Sequence, residues 1–318
     1  MALDPQVEFV LGLIEKSGYP ELCDMEPEEA RAFFDAQAPK LDIRPENVFR
    51  VEDRFIPGPD QPIPLRIYTP RQPVAGERLP LLVYLHGGGF VVGSLDSYDS
   101  LCRALANRVD CVVVSVDYRL APEHKFPAAV EDCIEALNWV AENADEIDGD
   151  AARLAIAGDS AGGNLAAVTA IAARDDGGPS LCCQVLVYPV AAGTPDSFSH
   201  HAFAEKRLLT RRNILWFYEQ YLNGPEDAKN PRFAPLETPD LAGLPPTLLI
   251  VAGHDPLRDE GLAYGERLRQ AGVAVTLHNY EGMVHGFLTM SDVIDKGGEA
   301  IEEASRTLRE AFATAASS

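Results

Sequence analysis

A serine between two glycines is the first feature of this sequence that could do chemistry. Ser160 lies two residues from both Gly158 and Gly162, after the apolar run 154–157 and before a stretch of small residues. A Gly-x-Ser-x-Gly turn between a strand and a helix holds the serine hydroxyl outward on strained backbone, and the helix directs free N–H groups towards it. Because so short a pattern also arises by chance in loops, a nucleophile is predicted only together with the features below.

Two loops late in the chain carry the partners that a nucleophilic serine needs. A base must take the hydroxyl proton, and a third group must orient the base. Asp255 directly follows an apolar strand, and His285 lies in a glycine-flanked loop after the last strand. The order Ser160, Asp255, His285 is one of the known chain orders of a catalytic triad. Asp259 is the alternative acid, but we expect it one turn on, inside the next helix, and we expect His254 to be a loop contact.

A run of glycines supplies donors for the charge that develops during the attack on a carbonyl group. His86-Gly87-Gly88-Gly89 follows a continuous apolar run. The attacked carbonyl oxygen becomes an oxyanion that needs preorganised donors, and glycine allows a backbone N–H to approach closely. We therefore predict an oxyanion hole made by the N–H groups of Gly88, Gly89 and Ala161.

The elements that must position these residues alternate between strands and helices. This alternation is typical of βαβ units and a mainly parallel sheet. Predicted strands cover 48–57, 63–69, 81–85, 111–116, 154–157, 181–187, 247–251 and 274–280, the first two as an edge hairpin. Predicted helices cover 6–16, 27–37, 97–108, 127–143, a segment after Ser160, 257–271 and 296–313. The alternation stops at residues 193–235, where we predict one amphipathic helix, 211–222.

Composition limits the classes of partner. The chain has 318 residues, 46% of them hydrophobic, and can bury a large core. The net charge of −22 argues against nucleic acid or an anionic membrane as partner, because phosphates would be repelled. We find neither a membrane-spanning apolar run nor a secretory signal. The six cysteines show no metal-ligand spacing, so we expect reduced thiols in a cytoplasmic protein.

Five motifs spread through the chain carry a family resemblance. They are His86-Gly-Gly-Gly-Phe90, Asp117-Tyr-Arg-Leu-Ala-Pro-Glu123, Gly158-Asp-Ser-Ala-Gly-Gly-Asn164, Asp255-Pro-Leu-Arg-Asp259 and Val284-His-Gly-Phe287. Together they closely resemble the hormone-sensitive-lipase-like (bacterial family IV) branch of the α/β-hydrolases, which are mostly microbial carboxylesterases. The strand pattern extends the resemblance to nearly the whole chain, except for about 45 N-terminal residues that match no motif.

This resemblance implies an architecture. The expected fold is the α/β-hydrolase fold, with an eight-stranded, mostly parallel sheet that has one antiparallel strand and is flanked by helices. Residues 46–192 and 236–318 would form the catalytic domain. Residues 1–45, here called the N-terminal segment, and residues 193–235, here called the insertion, would form a helical cap.

The resemblance also implies supporting roles and partners. The side chain of His86 would support the glycine loop that includes Gly87, without touching substrate. Asp159 is typical of a subgroup with many dimeric members, so a homodimer is an expectation. Neither a metal nor a cofactor is implied, and the partner would be a small-molecule ester.

The function predicted from all of these features is that of a serine carboxylesterase for short- to medium-chain acyl esters, acting through an acyl-enzyme. An amidase or arylformamidase would use the same triad. A non-catalytic small-molecule receptor on this fold, the other alternative, would lack the triad histidine, which is present as His285. Aromatic residues that could line the substrate pocket, or equally be core, are Phe90, Tyr188, Trp216 and Phe287.

Overall fold

An eight-stranded sheet, in the order β1-β2-β4-β3-β5-β6-β7-β8, forms the centre of the fold. The structure is a computed structural model and describes residues 2–205 and 208–317. The strands are β1 (Arg50–Ile56), β2 (Ile63–Thr69), β3 (Leu79–Leu85), β4 (Val112–Val116), β5 (Gly149–Asp159), β6 (Cys183–Val187), β7 (Thr247–Ala252) and β8 (Val275–Tyr280). Strand β2 is antiparallel to β1 and β4, and all other pairings are parallel. The predicted sheet with one antiparallel strand is therefore confirmed.

Helices cover both faces of the sheet. In the described residues they are α1 (Pro5–Ser17), α2 (Pro27–Gln37), α3 (Asp99–Val109), α4 (Ala128–Glu142), α5 (Ala161–Asp175), α6 (Phe198–Ala202), α7 (Arg211–Tyr221), α8 (Arg258–Gln270) and α9 (Asp295–Ala315). Every residue of β3 is buried. Leu81 and Val83 belong to the cluster that includes α4 and α5, whereas Leu82 and Tyr84 belong to the cluster with α3 and α9. Successive side chains of a strand point to opposite faces, so this continuous apolar run fills both cores.

The outer strand β1 differs from the buried ones. Its residues alternate between exposed and part-buried, as expected where one side of a strand faces water. Strand β1 pairs with β2 along its whole length, from Arg50 opposite Thr69 to Ile56 opposite Ile63. Residues 57–62, which contain three prolines and a glycine, form the turn between the two strands. The predicted edge hairpin is thus confirmed.

The N-terminal segment and the insertion contact each other. The N–H of Cys23 donates to Asn213 Oδ1 at 3.2 Å, and the hydroxyl of Thr210 donates to Glu21 at 2.7 Å. Arg212 also pairs with Asp24. The insertion holds a second helix, α6, that the sequence did not predict, and its residues 206 and 207 lie outside the described part, as do residues 1 and 318.

The loops that carry the predicted site residues follow β3, β5, β7 and β8. Because these strands are parallel, the loops meet at the carboxyl edge of the sheet, where α/β proteins bind ligands. No helix within residues 2–205 and 208–317 is both long and apolar enough to span a membrane.

Candidate active site

Ser160 lies at the sharp turn from β5 into α5, with φ 56° and ψ −120°. A positive φ is costly for a residue with a side chain and persists only where the surroundings impose it. Here the N–H of Ser160 donates to the carbonyl of Val187 at 2.9 Å. A Cβ on Gly158 would lie 2.3 Å from the carbonyl oxygen of Gly162, so the strand and helix meet too closely for any side chain. Close backbone approaches at this turn therefore explain both glycines.

The imidazole of His285 lies within direct hydrogen-bonding distance of the other two predicted triad residues. His285 Nε2 is 2.9 Å from Ser160 Oγ, and His285 Nδ1 is 2.8 Å from Asp255 Oδ2. Asp255 is fully buried, while Ser160 and His285 are each 9% exposed. With Nδ1–H donating to the carboxylate, Nε2 is free to accept the serine proton, which is the arrangement that nucleophilic catalysis requires.

Asp255 is held by its own turn, which leaves its other oxygen for the histidine. Asp255 Oδ1 accepts from the N–H of Leu257 at 2.9 Å. The preceding residue, His254, donates its N–H to the carbonyl of Met283 at 2.9 Å, which ties the aspartate loop to the histidine loop. Asp259 is the second residue of α8 and bonds to Ser199 and Arg258 instead of to His285. The structure therefore brings Asp255, and not Asp259, to the imidazole.

The predicted oxyanion donors lie in the loop after β3 and at the start of α5. Gly88 has φ 120° and Gly89 has φ 60°, a region that favours glycine. A Cβ on Gly89 would lie 2.3 Å from the ring of Phe217, so helix α7 lies directly against this loop. In the described part of the chain, the N–H groups of Gly88 and Gly89 donate to no other protein group. Ala161, the first residue of α5, offers a third N–H.

His86 is part of the support for this loop. Its ring is fully buried, and burial lowers its pKa to about 4, so the imidazole is neutral. Nδ1 lies 2.7 Å from the carbonyl of Gly87, to which a neutral ring can donate. The ring stacks on Tyr118 at 4.3 Å, and the Tyr118 hydroxyl donates to the His86 carbonyl. These contacts connect His86 to the glycine loop, and its role as a support that does not touch substrate stays a prediction.

Asp159 links the nucleophile turn to the glycine loop. Its carboxylate accepts from Tyr84 at 2.9 Å, from Tyr98 at 3.0 Å and from the N–H of Gly87 at 3.1 Å. Burial raises the pKa of Asp159 to about 6, although these donors and the nearby His285 act in the opposite direction. Because Asp159 directly precedes Ser160, its hydrogen bond with Gly87 connects the glycine loop to the nucleophile turn.

The predicted pocket aromatics are not equivalent. Tyr188 is buried, and its ring lies 4.6 Å from that of His285. Trp216 is part-buried on α7, next to Phe217. Phe90 stacks on Tyr221 at 4.1 Å and is fully buried. Phe287 is also fully buried, against Tyr188. Phe90 and Phe287 are thus core side chains in this structure, and their place in a substrate pocket stays a prediction.

A buried pair that the sequence did not single out joins α6 to α8. His200 Nε2 lies 3.2 Å from Glu260 Oε2, and both side chains are buried. The other oxygen of Glu260 accepts from the N–H groups of Ala191 and Ala192. Burial raises the pKa of Glu260, which His200 and these N–H donors oppose. The pair fixes the start of the insertion onto α8.

Helix α6 also holds the turn that carries the aspartate. The hydroxyl of Ser199 donates to the carbonyl of Pro256 at 2.6 Å. It accepts from the N–H of Asp259 at 3.2 Å, while the N–H of Ser199 donates to the Asp259 carboxylate at 2.9 Å. In the sequence, only the residue types of Ser199 and His200, in a segment without sheet pattern, could have pointed to this contact. Among the described residues, no cluster of His, Cys, Asp or Glu side chains is arranged to hold a metal ion.

Comparisons with known proteins agree with this architecture. Residues 82–289 match a family model described as alpha/beta hydrolase fold. The chain is 44% identical to Esterase LipI of Mycobacterium tuberculosis over 273 residues, covering 85% of this chain and 84% of that one. It is 37% identical to Ethyl acetate hydrolase of Pseudomonas putida, over 95% of this chain and 96% of the relative. The structure of a hyperthermophilic esterase from the archaeon Pyrobaculum calidifontis superposes with a TM-score of 0.91 at 42% identity, covering 98% of this chain and 99% of the other.

Proposed function

The chain belongs to the hormone-sensitive-lipase-like carboxylesterases of the α/β-hydrolase superfamily, and we propose that it cleaves short- to medium-chain acyl esters through an acyl-enzyme on Ser160. Ester hydrolysis follows from relatives of this identity that are named as esterases and as an ethyl acetate hydrolase. The observation that carries the proposed mechanism is the continuous hydrogen-bonded chain from Ser160 Oγ through His285 to Asp255, at 2.9 and 2.8 Å.

The first half of the reaction transfers the acyl group to the enzyme. His285 Nε2 takes the proton of Ser160 Oγ while that oxygen bonds to the ester carbonyl carbon. The carbonyl oxygen becomes an oxyanion and accepts hydrogen bonds from the N–H groups of Gly88, Gly89 and Ala161. When the tetrahedral intermediate collapses, the bond to the alkoxy oxygen breaks and His285 gives its proton to the leaving alcohol.

The second half regenerates the serine with water as the nucleophile. His285 takes a proton from water as the water oxygen bonds to the acyl carbon. The Ser160–acyl bond then breaks, the proton returns to Ser160 Oγ, and the acid leaves. Throughout, Asp255 keeps Nδ1 protonated and stabilises the imidazolium that forms twice in each cycle.

We assign the N-terminal segment and the insertion to a cap over this edge of the sheet, with residues 46–192 and 236–318 as the catalytic domain. The assignment rests on the contacts between Cys23 and Asn213 and on the packing of Phe217 against Gly89. A large aromatic ring directly beside an oxyanion donor limits the room for the acyl or alcohol group. Short and medium chains are therefore the substrates that we propose.

The compartment and the assembly belong to the same proposal. All six cysteines are free, which is compatible with a reducing compartment, and we propose the cytoplasm. We also propose a homodimer, on the basis of the Asp159 subgroup alone. Size-exclusion chromatography with light scattering tests it, and a monomer at assay concentration would exclude it.

Replacement of the nucleophile tests the proposed function. Ser160→Ala should lower hydrolysis of p-nitrophenyl butyrate to the background rate while circular dichroism and the melting temperature stay close to wild type. A series of p-nitrophenyl esters from acetate to palmitate should show the highest kcat/KM for short or medium acyl chains, and matched anilides should react far more slowly. Wild-type turnover by folded Ser160→Ala would disprove the mechanism.

A further inference from the structure

The oxyanion loop holds an unusual backbone that something must impose. Gly88, Gly89 and Phe90 have φ values of 120°, 60° and 64° in succession. Glycine adopts such values readily, but Phe90 carries a side chain and would relax to negative φ in a free loop. Conformations of this kind persist only where neighbouring structure over-determines them. The contacts around residues 88–92 therefore decide where the oxyanion donors point.

Part of the restraint comes from the catalytic domain and from Tyr221, on α7 of the insertion. The N–H groups of Val91 and Val92 both donate to the carbonyl of Gly88, at 3.1 and 2.9 Å. The N–H of Ala121 donates to the carbonyl of Phe90 at 2.9 Å, and the Phe90 ring stacks on Tyr221. These bonds close the turn and join it to the segment around residue 121.

The remaining restraint comes from the N-terminal segment. Arg31, on α2, donates from Nε to the carbonyl of Val91 at 2.7 Å and from Nη2 to the carbonyl of Ala121 at 2.6 Å. Its Nη1 donates to Glu123 at 2.9 Å, which lowers the pKa of that carboxyl. Among the described residues, Arg31 is the one side chain that donates to a carbonyl of residues 88–92. The guanidinium thus bridges the two segments that Ala121 N–H also connects.

A second contact comes from the same face of the same helix. Asp35, four residues after Arg31, accepts from the hydroxyl of Ser94 at 3.0 Å. Residues four apart lie on one face of a helix. That face of α2 therefore contacts the loop twice, just after the oxyanion donors. The N-terminal segment carries no catalytic motif, yet two of its side chains contact this loop.

We propose that Arg31 is a positioning residue for the oxyanion hole, through which α2 keeps the Gly88 and Gly89 N–H groups aimed at the reacting carbonyl. This inference rests on the proposed function, because it needs a reaction with an oxyanion. Arg31 acts through the carbonyls of Val91 and Ala121. Its loss should therefore weaken the binding of the transition state more than the binding of the ester.

Kinetics and the affinity for a transition-state analogue test this role. Arg31→Met should lower kcat for p-nitrophenyl butyrate roughly 10- to 100-fold, since displaced oxyanion donors cost this order of rate. KM should change by less than about threefold, because the ester ground state makes few contacts with these donors. The affinity for an alkyl trifluoromethyl ketone, whose adduct with the serine carries an oxyanion, should fall by the same factor as kcat. Arg31→Lys can donate to one carbonyl and should give an intermediate loss in both quantities.

Two control variants separate this role from general weakening of the protein. Glu123→Gln keeps both carbonyl contacts of Arg31 and should keep kcat within about twofold of wild type. Arg44→Met removes an arginine of the same segment whose side chain is 89% exposed, and it should change nothing. All rates are divided by the number of active serines, counted with a fluorescent phosphonate ester, so unfolded protein does not contribute.

The outcomes are distinct. Wild-type kcat and ketone affinity in Arg31→Met, with or without a lower melting temperature, would overturn the proposal, as would a change confined to KM. If Arg31→Met does not fold, wild-type values in Arg31→Lys would overturn it equally. Failure of the proposed function would be visible separately, because the phosphonate would then not label Ser160 in the wild-type protein.

Discussion

The site is built from two regions that achieve their precision in different ways. In the loops after β7 and β8, the geometry of the site depends on a side-chain hydrogen bond, which joins Asp255 to His285 at 2.8 Å. A backbone bond from His254 N–H to the carbonyl of Met283 connects the two loops. In the loop after β3, the geometry of the site depends on the backbone, because Gly88 and Gly89 have positive φ values. The function of the loops after β7 and β8 therefore depends on the types of residue present. The function of the loop after β3 depends on the structure packed around its backbone.

This difference determines how each region should respond to substitution. A side-chain partner can be removed without moving the backbone, so the chemistry is lost while the fold stays. A backbone donor cannot be removed, but it can be displaced by any Cβ or lost contact that shifts the loop. Substitutions in the loops after β7 and β8 should therefore lower kcat because His285 has the wrong protonation state or tautomer. Substitutions in the loop after β3 should lower kcat because the backbone N–H donors are displaced.

The largest effect should come from the aspartate that orients the imidazole. Asp255→Asn keeps the size of the side chain but no longer fixes Nδ1–H of His285, so kcat should fall about 10⁴-fold at neutral pH, by analogy with serine proteases. Asp259→Asn is the matched control, because Asp259 bonds to Ser199 and Arg258 and not to the imidazole. It should lose less than about tenfold. Steady-state kinetics on both folded variants measures the contrast, and equal losses would remove Asp255 from the triad.

The next largest effect should come from a methyl group placed in the oxyanion loop. A Cβ on Gly88 would lie 2.0 Å from the carbonyl oxygen of Val92, at a φ of 120°, so the loop must move. Gly88→Ala should lower kcat about 10²- to 10³-fold, the cost of losing one oxyanion donor.

Gly286→Ala gives the comparison on the histidine side. Its φ is 79°, but a Cβ there would meet only Met290 Cε at 3.5 Å. Its loss should stay below about tenfold, since the strain of one alanine at positive φ is about 1 kcal/mol. If Gly88→Ala were as active as Gly286→Ala, the loop after β3 would not supply the oxyanion donors.

The smallest effect concerns stability and a buried carboxyl outside the triad, that of Asp42. Asp42 accepts one hydrogen bond, from the N–H of Ile43, and its Oδ2 has no hydrogen-bond partner among residues 2–205 and 208–317, whereas Asp255 has partners on both oxygens. Burial raises the pKa of Asp42 to about 7, with a smaller contribution from the charge of Asp159. The folded protein therefore holds a proton that the unfolded chain has released, and this group costs stability as the pH rises from about 4 to 7.

Asp42→Asn should remove that pH dependence. Between pH 5 and 8 the free energy of unfolding of the variant should gain about 3 kcal/mol relative to wild type. Urea unfolding at both pH values measures this difference, and kcat should change little. A constant difference between the two proteins across this pH range would show that Asp42 is already ionised in the folded state.

The sequence was most informative where function depends on residue type and order. The mainly parallel sheet and the triad of Ser160, Asp255 and His285 could be predicted from apolar runs, turn glycines and chain order, whereas the count of eight strands and the single antiparallel strand were implied by the family resemblance. The position of Asp259 inside α8 was also predicted, and the structure has it there.

The sequence was less informative where a contact joins distant segments. Helix α6 is five residues long, too short for a helical period to be recognised. Arg31 and the carbonyl of Val91 are 60 residues apart, and nothing in the residue type of Val91 marks its carbonyl as an acceptor. Phe90 adjoins a glycine loop, which predicted a pocket residue, whereas the structure packs its ring on Tyr221 in the core, and its place in a pocket stays a prediction. Such contacts are set by tertiary packing.

Rapid-quench mass spectrometry of the enzyme during turnover of p-nitrophenyl butyrate shows which residue carries the acyl group. Because p-nitrophenolate is a good leaving group, acylation of Ser160 should be faster than deacylation. We therefore expect a burst of p-nitrophenol and, in the same milliseconds, one butyryl group on the peptide that contains Ser160. The group should disappear once the substrate is consumed. Turnover without any acylated peptide would contradict an acyl-enzyme on Ser160. An acyl group that forms and decays at the turnover rate on another residue would contradict it equally.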